Sequence, residues 1–99
     1  MALTIEQIAD RYFDVLVAIC GANPNLRADF VRCLVEPRAN YEFRFQGRLG
    51  FGGKFYLDRH SDPHVDCYKE DRTPERVQII LTANRHFRAL ERELSEVES

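Results

Sequence analysis

Tyr41-Glu42-Phe43-Arg44-Phe45-Gln46 is the stretch that decides the fold. Upstream of it, apolar residues recur at the three-and-four spacing of a helix; within it they alternate one by one. Tyr41, Phe43 and Phe45 fall on one side and Glu42, Arg44 and Gln46 on the other, as in a strand with one buried and one wet face. Downstream, Lys54-Phe55-Tyr56-Leu57-Asp58 reads as a second strand with Phe55 and Leu57 inward, and His64-Val65-Asp66-Cys67-Tyr68 as a third with Val65 and Cys67 inward. The expected strand bounds are 40–46, 54–59 and 64–68. Short links, Gly47–Gly53 and the turn Ser61-Asp62-Pro63, make the three strands an antiparallel meander.

Helices flank this sheet. Thr4, with Gln7 three residues on, matches a capping box, and Ile5, Ile8, Tyr12, Val15, Leu16 and Ile19 then trace one face until Gly21 stops the helix. Asn23-Pro24 opens a second helix whose inner side is Leu26, Phe30, Cys33 and Leu34, and Pro37 ends it. Thr73-Pro74-Glu75 supplies a cap, a first-turn proline and a first-turn acid for a third helix. Its stripe reads Val77, Ile80, Leu81, Phe87, Leu90 and Leu94, with the tail from Ser95 to Ser99 expected to fray. The expected fold class is therefore α+β: a three-stranded antiparallel sheet with helices packed on one face, in the order ααβββα.

Composition agrees with an ordinary globule. The chain has 99 residues, 44% hydrophobic and 30% charged, with eleven aromatics, a mean hydropathy of −0.41 and three cysteines. That length suits one domain, residues 1–99, with one core. No apolar run reaches the ~18 residues of a membrane span, and the first residues lack the basic and apolar regions of a signal peptide. An odd, sparse cysteine count fits a reducing, cytoplasmic setting. The formal charge of −2 argues against a general nucleic-acid binder. Charge is unevenly placed, however: between residues 37 and 60, Arg38, Arg44, Arg48, Lys54 and Arg59 against Glu42 and Asp58 leave +3 between acidic flanks.

The glycine stretch Gly47-Arg48-Leu49-Gly50-Phe51-Gly52-Gly53 matches no phosphate-binding motif. A P-loop needs a glycine where Arg48 stands and a hydroxyl where Phe55 stands; a dinucleotide fingerprint needs glycine at Phe55. The RNA-recognition signature fails at Leu49 and Gly53. The stretch reads as a glycine-rich connection or bulge with Phe51 closing the core. His60, Asp62, His64, Asp66 and Cys67 are the one ligand-like cluster, yet no second pair of Cys or His completes a zinc site, so no metal and no cofactor is expected. Cys67 alternates inward, the wrong side for a nucleophile, and no catalytic motif is present. The chain reads as a non-enzyme. Asn84 interrupts the third helix's stripe and reads as a satisfied buried amide; Arg85, Arg88 and Arg92 read as a salt-bridged face.

The outer sheet face is the candidate working surface. Glu42, Arg44, Gln46, Lys54, Tyr56, Asp58, His64, Asp66 and Tyr68 would share it, and Tyr and Arg are the residues on which interfaces concentrate their energy. Cross-strand pairing on a wet sheet is the alternative and needs no partner. The candidate binding residues are Arg44, Arg48, Lys54, Tyr56, Arg59 and Tyr68.

Residues 47–56, followed by Val65-Asp66-Cys67-Tyr68-Lys69-Glu70-Asp71-Arg72-Thr73-Pro74-Glu75-Arg76, resemble uncharacterised short proteins of bacteriophages and prophages, over about residues 40–90. In length, build and mixed surface charge the chain is similar to anti-CRISPR inhibitors, a likeness of size and setting that transfers no functional residue. The resemblance implies a stoichiometric inhibitor in the bacterial cytoplasm that occupies a nucleic-acid or subunit surface of a host protein or ribonucleoprotein complex, such as a CRISPR effector. Two polarities stay open. Arg44, Arg48, Lys54 and Arg59 could meet phosphate or acidic side chains, with Tyr56 and Tyr68 as anchors; or the acidic first helix and Lys69–Arg72 could compete with nucleic acid for a basic groove. A single-stranded RNA or DNA binder using the same face is the runner-up, and a metal-dependent protein centred on His60 and His64 the third reading.

Overall fold

A reciprocal pair of hydrogen bonds starts the first helix: the Thr4 N–H donates to Gln7 Oε1 (2.8 Å) and the Gln7 N–H to Thr4 Oγ1 (3.2 Å). From there the computed structural model, which describes residues 3–35 and 42–98 with side chains to Leu94, runs α1 (Ile5–Cys20), α2 (Arg27–Val35), β1 (Phe43–Gln46), β2 (Gly52–Leu57), β3 (Pro63–Cys67) and α3 (Pro74–Glu98). The expected stop at Pro37, the cation Arg38 and the strand position Tyr41 lie outside the described residues. The order is ααβββα, and the sheet is an antiparallel meander, β1-β2-β3. Register sets Phe43 opposite Phe55, Arg44 opposite Lys54 and Phe45 opposite Gly53; across the other seam Phe55 faces Val65 and Tyr56 faces His64.

Gly21 ends α1 with φ +75, a left-handed conformation that glycine adopts without penalty. Asn23 caps the next turn, its side chain accepting the Asn25 N–H at 2.9 Å, but that turn (Pro24–Leu26) is a 3-10 turn, and the α-helix begins only at Arg27. The α3 helix is assigned as far as Glu98.

The helices cover one face of the sheet. Phe43, Phe45, Phe55, Val65 and Cys67 are buried beneath Phe13, Leu16, Phe30, Ala83 and Phe87 in one core cluster. Phe30 sits at its middle, its ring 5.3 Å from Phe13, 5.2 Å from Phe43 and 4.8 Å from Phe55, the last two edge-to-face. Phe51, fully buried, closes the end of the core.

Several sequence expectations shift by a residue or a turn. Ile5 is exposed and Ala9 and Phe13 carry the face of α1; in α3 Ile79 and Ala83 are buried while Leu81 is exposed. The rest of each stripe is where expected: Tyr12, Val15 and Leu16 in α1 and Ile80, Phe87 and Leu94 in α3 are buried. In α2 only Phe30 is fully buried, with Leu26, Cys33 and Leu34 packed partly against the core. The second strand starts at Gly52, inside the glycine stretch, and ends at Leu57. Its glycine has a packing cause: a Cβ at Gly53 would lie 2.7 Å from Cε1 and Cε2 of Phe45, the residue across the ladder, so the Phe45 ring lies over bare backbone.

The two sheet edges are treated differently. Asn84 on α3 clamps β3: its Oδ1 accepts the Val65 N–H (2.9 Å) and its Nδ2 donates to the Val65 carbonyl (3.1 Å). Arg88, one turn on, donates through Nη2 to the Pro63 carbonyl, and the Cys67 N–H donates to Asp66 Oδ1 (2.8 Å). Side chains thus occupy the outward groups of Pro63 and Val65 and the Cys67 N–H, which obstructs further pairing along that edge.

Candidate functional site

With helices on one side only, the period of two sends Arg44, Gln46, Lys54, Tyr56, His64 and Asp66 to the opposite face, and Tyr68 follows at the end of β3. Arg44, Lys54 and Asp66 form one row across the sheet. Tyr56 and His64 form the next, their rings 5.4 Å apart and 22° from parallel.

Tyr68 gathers the two cations. Lys54 Nζ lies 5.5 Å and Arg44 Cζ 5.9 Å from its ring centroid, so the negative ring face holds both ends in place. Their acidic neighbours engage them only loosely. Asp66 stands opposite Lys54, but its Oδ1 accepts the Cys67 N–H and Arg72 Nη2 (3.3 Å). Among the described residues Lys54 makes no ion pair, and Arg44, 72% exposed, reaches Glu42 only at 3.9 Å.

Beside this cluster lies a cleft of about 420 Å³ lined by Asn23, Leu26, Arg44, Gln46, Gly52 and Tyr68. Gly52, with no side chain, keeps its floor low next to Tyr68. A larger groove, about 570 Å³, runs between α1 and α2, but its cations are satisfied: Arg27 by Asp10 (3.1 Å) and Asp14 (2.8 Å), Arg32 by Asp29 (3.2 Å).

The candidate binding residues divide. Arg44, Lys54 and Tyr68 form one cluster; Tyr56 shares the face one row away. Arg59 is in the β2–β3 turn, where its Nε lies 3.3 Å from His60 Nε2. Arg48 is elsewhere: it opens the 3-10 turn Arg48–Gly50, and its backbone packs so closely on the end of α1 that a Cβ at Gly21 would meet Arg48 N at 2.9 Å. There it faces the negative end of the helix dipole. Alternation could not place Arg48, because the chain leaves the strand at Gly47.

The histidine–acid cluster organises the turn. Asp58 Oδ1 accepts the N–H of His60 (2.8 Å) and of Asp62 (3.0 Å), and Oδ2 lies 2.7 Å from His64 Nε2. The His64 hydrogen bond, with those amides, lowers the Asp58 carboxyl to about 2. Among the described residues no group of three or more His, Cys, Asp or Glu side chains is placed to hold a metal ion. Cys20 and Cys67 are buried in the core; burial pushes the Cys20 thiol up to about 12, against the pull of the nearby Arg48 cation, and raises the Cys67 thiol as well. Both are held as thiols, away from nucleophilic chemistry. No described helix is long and apolar enough to cross a membrane.

Sequence reading missed the cleft residues Asn23, Leu26 and Gly52. The available signal was the Gly-Gly pair at Gly52-Gly53, where a bare strand start marks close approach. No family model, no curated protein and no solved structure matches this chain.

Proposed function

We propose that the protein is a non-enzymatic binding protein whose outer sheet face docks on an acidic surface of a partner protein or ribonucleoprotein complex, Arg44 and Lys54 meeting carboxylates and Tyr68 anchoring between them. The observation that supports this most is the pair of cations gathered over Tyr68, where Arg44 meets Glu42 only at 3.9 Å and Lys54 makes no ion pair among the described residues. Cations already held in position lose less side-chain entropy when a partner arrives. The phage-type resemblance adds the setting, a stoichiometric ligand of a host complex in the bacterial cytoplasm.

Direct binding of single-stranded nucleic acid is the weaker reading, for a geometric reason. Stacking on an aromatic ring is worth ~1–3 kcal/mol per base, but it needs an open ring face. Tyr56 is already stacked on His64, and Tyr68 carries two cations. At physiological salt charges are screened beyond ~8 Å, so the local cations act on what touches them while the net charge of −2 offers no long-range attraction for a polyanion.

Fluorescence anisotropy with labelled single-stranded RNA and DNA tests this. Binding in the non-specific range of ~10⁻⁴–10⁻⁶ M, with a shallow salt slope, is the expected result. In parallel, immobilised protein should retain from bacterial lysate a partner that the Arg44→Glu/Lys54→Glu variant does not retain. A submicromolar oligonucleotide complex that Tyr68→Ala abolishes would overturn the reading in favour of the nucleic-acid binder.

A further inference from the structure

Backbone geometry at the open edge of the sheet narrows the partner. Both the N–H and the carbonyl of Val65 are bonded to Asn84, so Val65 turns its polar groups away from β2. Polar groups alternate sides along an antiparallel strand. Those of Phe55, opposite Val65, therefore point to β1, and those of Phe43, opposite Phe55, point back to β2. The outward groups of β1 then belong to Arg44 and Gln46. Among the described residues nothing hydrogen-bonds to them, whereas on β3 the Pro63 carbonyl, both groups of Val65 and the Cys67 N–H are met by Arg88, Asn84 and Asp66.

We propose that β1 accepts an additional strand, supplied by an extended acidic segment of a partner protein. The inference rests on the docking function proposed above and specifies how that face is used. An unpaired edge offers donors and acceptors in register for a fourth strand. The cleft along this edge provides room and a two-sided lining: Arg44, Gln46 and Tyr68 on the outer side, Leu26 and Phe45 on the inner. An incoming residue opposite Arg44 places its side chain on the outer face beside Lys54, which makes no ion pair among the described residues, and Arg44, which reaches Glu42 only at 3.9 Å, so an acid belongs there. In a segment running parallel to β1 its successor, opposite Phe45, points toward Leu26 and is apolar. The next, opposite Gln46, is polar. The segment recognised is thus an extended acid–apolar–polar run. A second copy of β1 does not suit the edge, because its outward residues, Arg44 and Gln46, bring no acid to the outer face.

A nuclear magnetic resonance titration of the full chain with the acetylated, amidated hexapeptide Thr-Glu-Val-Thr-Val-Thr tests the inference. The amides of Arg44 and Gln46 should shift downfield and exchange with solvent about tenfold more slowly, as amides entering a ladder do, while the Val65 amide stays unchanged. Peptides N-methylated at every second residue, in both phases, keep the charge and lose one row of donors; the expected result is at least about tenfold weaker binding for one phase. Gln46→Pro removes an outward donor from an edge position that tolerates proline, and should abolish binding with the fold retained. Equal affinity for both methylated peptides would overturn strand addition and leave acidic docking standing. Equal affinity for a peptide with Lys in place of Glu would overturn the acidic preference, and with it the docking function. No binding of the parent peptide would overturn the inference as a whole.

Discussion

Replacing Asn84 with Ala removes a clamp that serves two backbone groups at once. Val65 is 1% exposed, so its N–H and carbonyl have little water to turn to when the amide is gone. Two hydrogen bonds are lost, at 2.9 and 3.1 Å. Each is worth ~0.5–1.5 kcal/mol net, and a buried group left unpaired costs ~1–3 kcal/mol. Alanine returns roughly 0.5 kcal/mol of helix propensity within α3. The expected net loss is ~2–3 kcal/mol, because the truncated side chain leaves space for some water to enter. For a domain of this size that lowers the melting temperature by ~10–20 °C. Thermal unfolding followed by circular dichroism measures it, and the Val65 amide should become one of the faster-exchanging positions in the sheet. Asn84→Asp separates the two bonds: it keeps an acceptor for the N–H but sets a carboxylate oxygen against the Val65 carbonyl, and at neutral pH should be at least as damaging as Ala. A melting temperature within about 3 °C of wild type for Asn84→Ala would refute the clamp.

Gly53→Ala puts a methyl against the Phe45 ring, within 2.7 Å of two ring carbons, and should cost ~1–3 kcal/mol as an overpacked core; a neutral result in urea unfolding would show that the ring has space to withdraw. Leu49 holds φ +59 while 65% exposed, so Leu49→Gly should raise stability by roughly 0.5–1 kcal/mol in the same assay, and a loss would mean that its side chain makes a needed contact. The Asp58 carboxyl is lowered to about 2 from an unfolded value near ~3.9, so its contribution is complete above the unfolded value and fades as pH falls toward the folded one. Asp58→Asn should therefore flatten the acid limb of a stability–pH profile between about pH 5 and 2, and an unchanged limb would detach Asp58 from acid sensitivity.

How much of the structure was legible in the sequence depends on whether the governing interaction was local. The capping box at Thr4, the stop at Gly21 and the opening at Thr73-Pro74 are local, and each starts or ends an element where expected. The inward set Phe43, Phe45, Phe55, Val65 and Cys67 follows from alternation alone. Ile5 and Leu81 were misplaced because an apolar residue at a stripe's margin is buried only if a neighbouring element reaches it. Gly53 could not be read at all: it is glycine because of a ring eight residues upstream. Asn84 could be recognised as a polar residue within an apolar stripe, but its partner, 19 residues away, depends on how α3 crosses β3. On the outer face, alternation placed Arg44, Lys54, Tyr56 and Tyr68 together. It could not show that Asp66, opposite Lys54, is engaged by Arg72 and the Cys67 amide.

The edge of β3 is closed by residues translated after it. Pro63 and Val65 are synthesised well before Arg88 and Asn84, which lie 25 and 19 residues downstream of the groups they meet. A nascent chain that has completed the meander but not α3 presents two bare edges rather than one, and bare edges recruit other strands. The α3 helix thus covers part of the sheet's edge as well as part of its core. Chains halted before Asn84 meet the hazard of intermolecular β-pairing that the finished protein confines to β1.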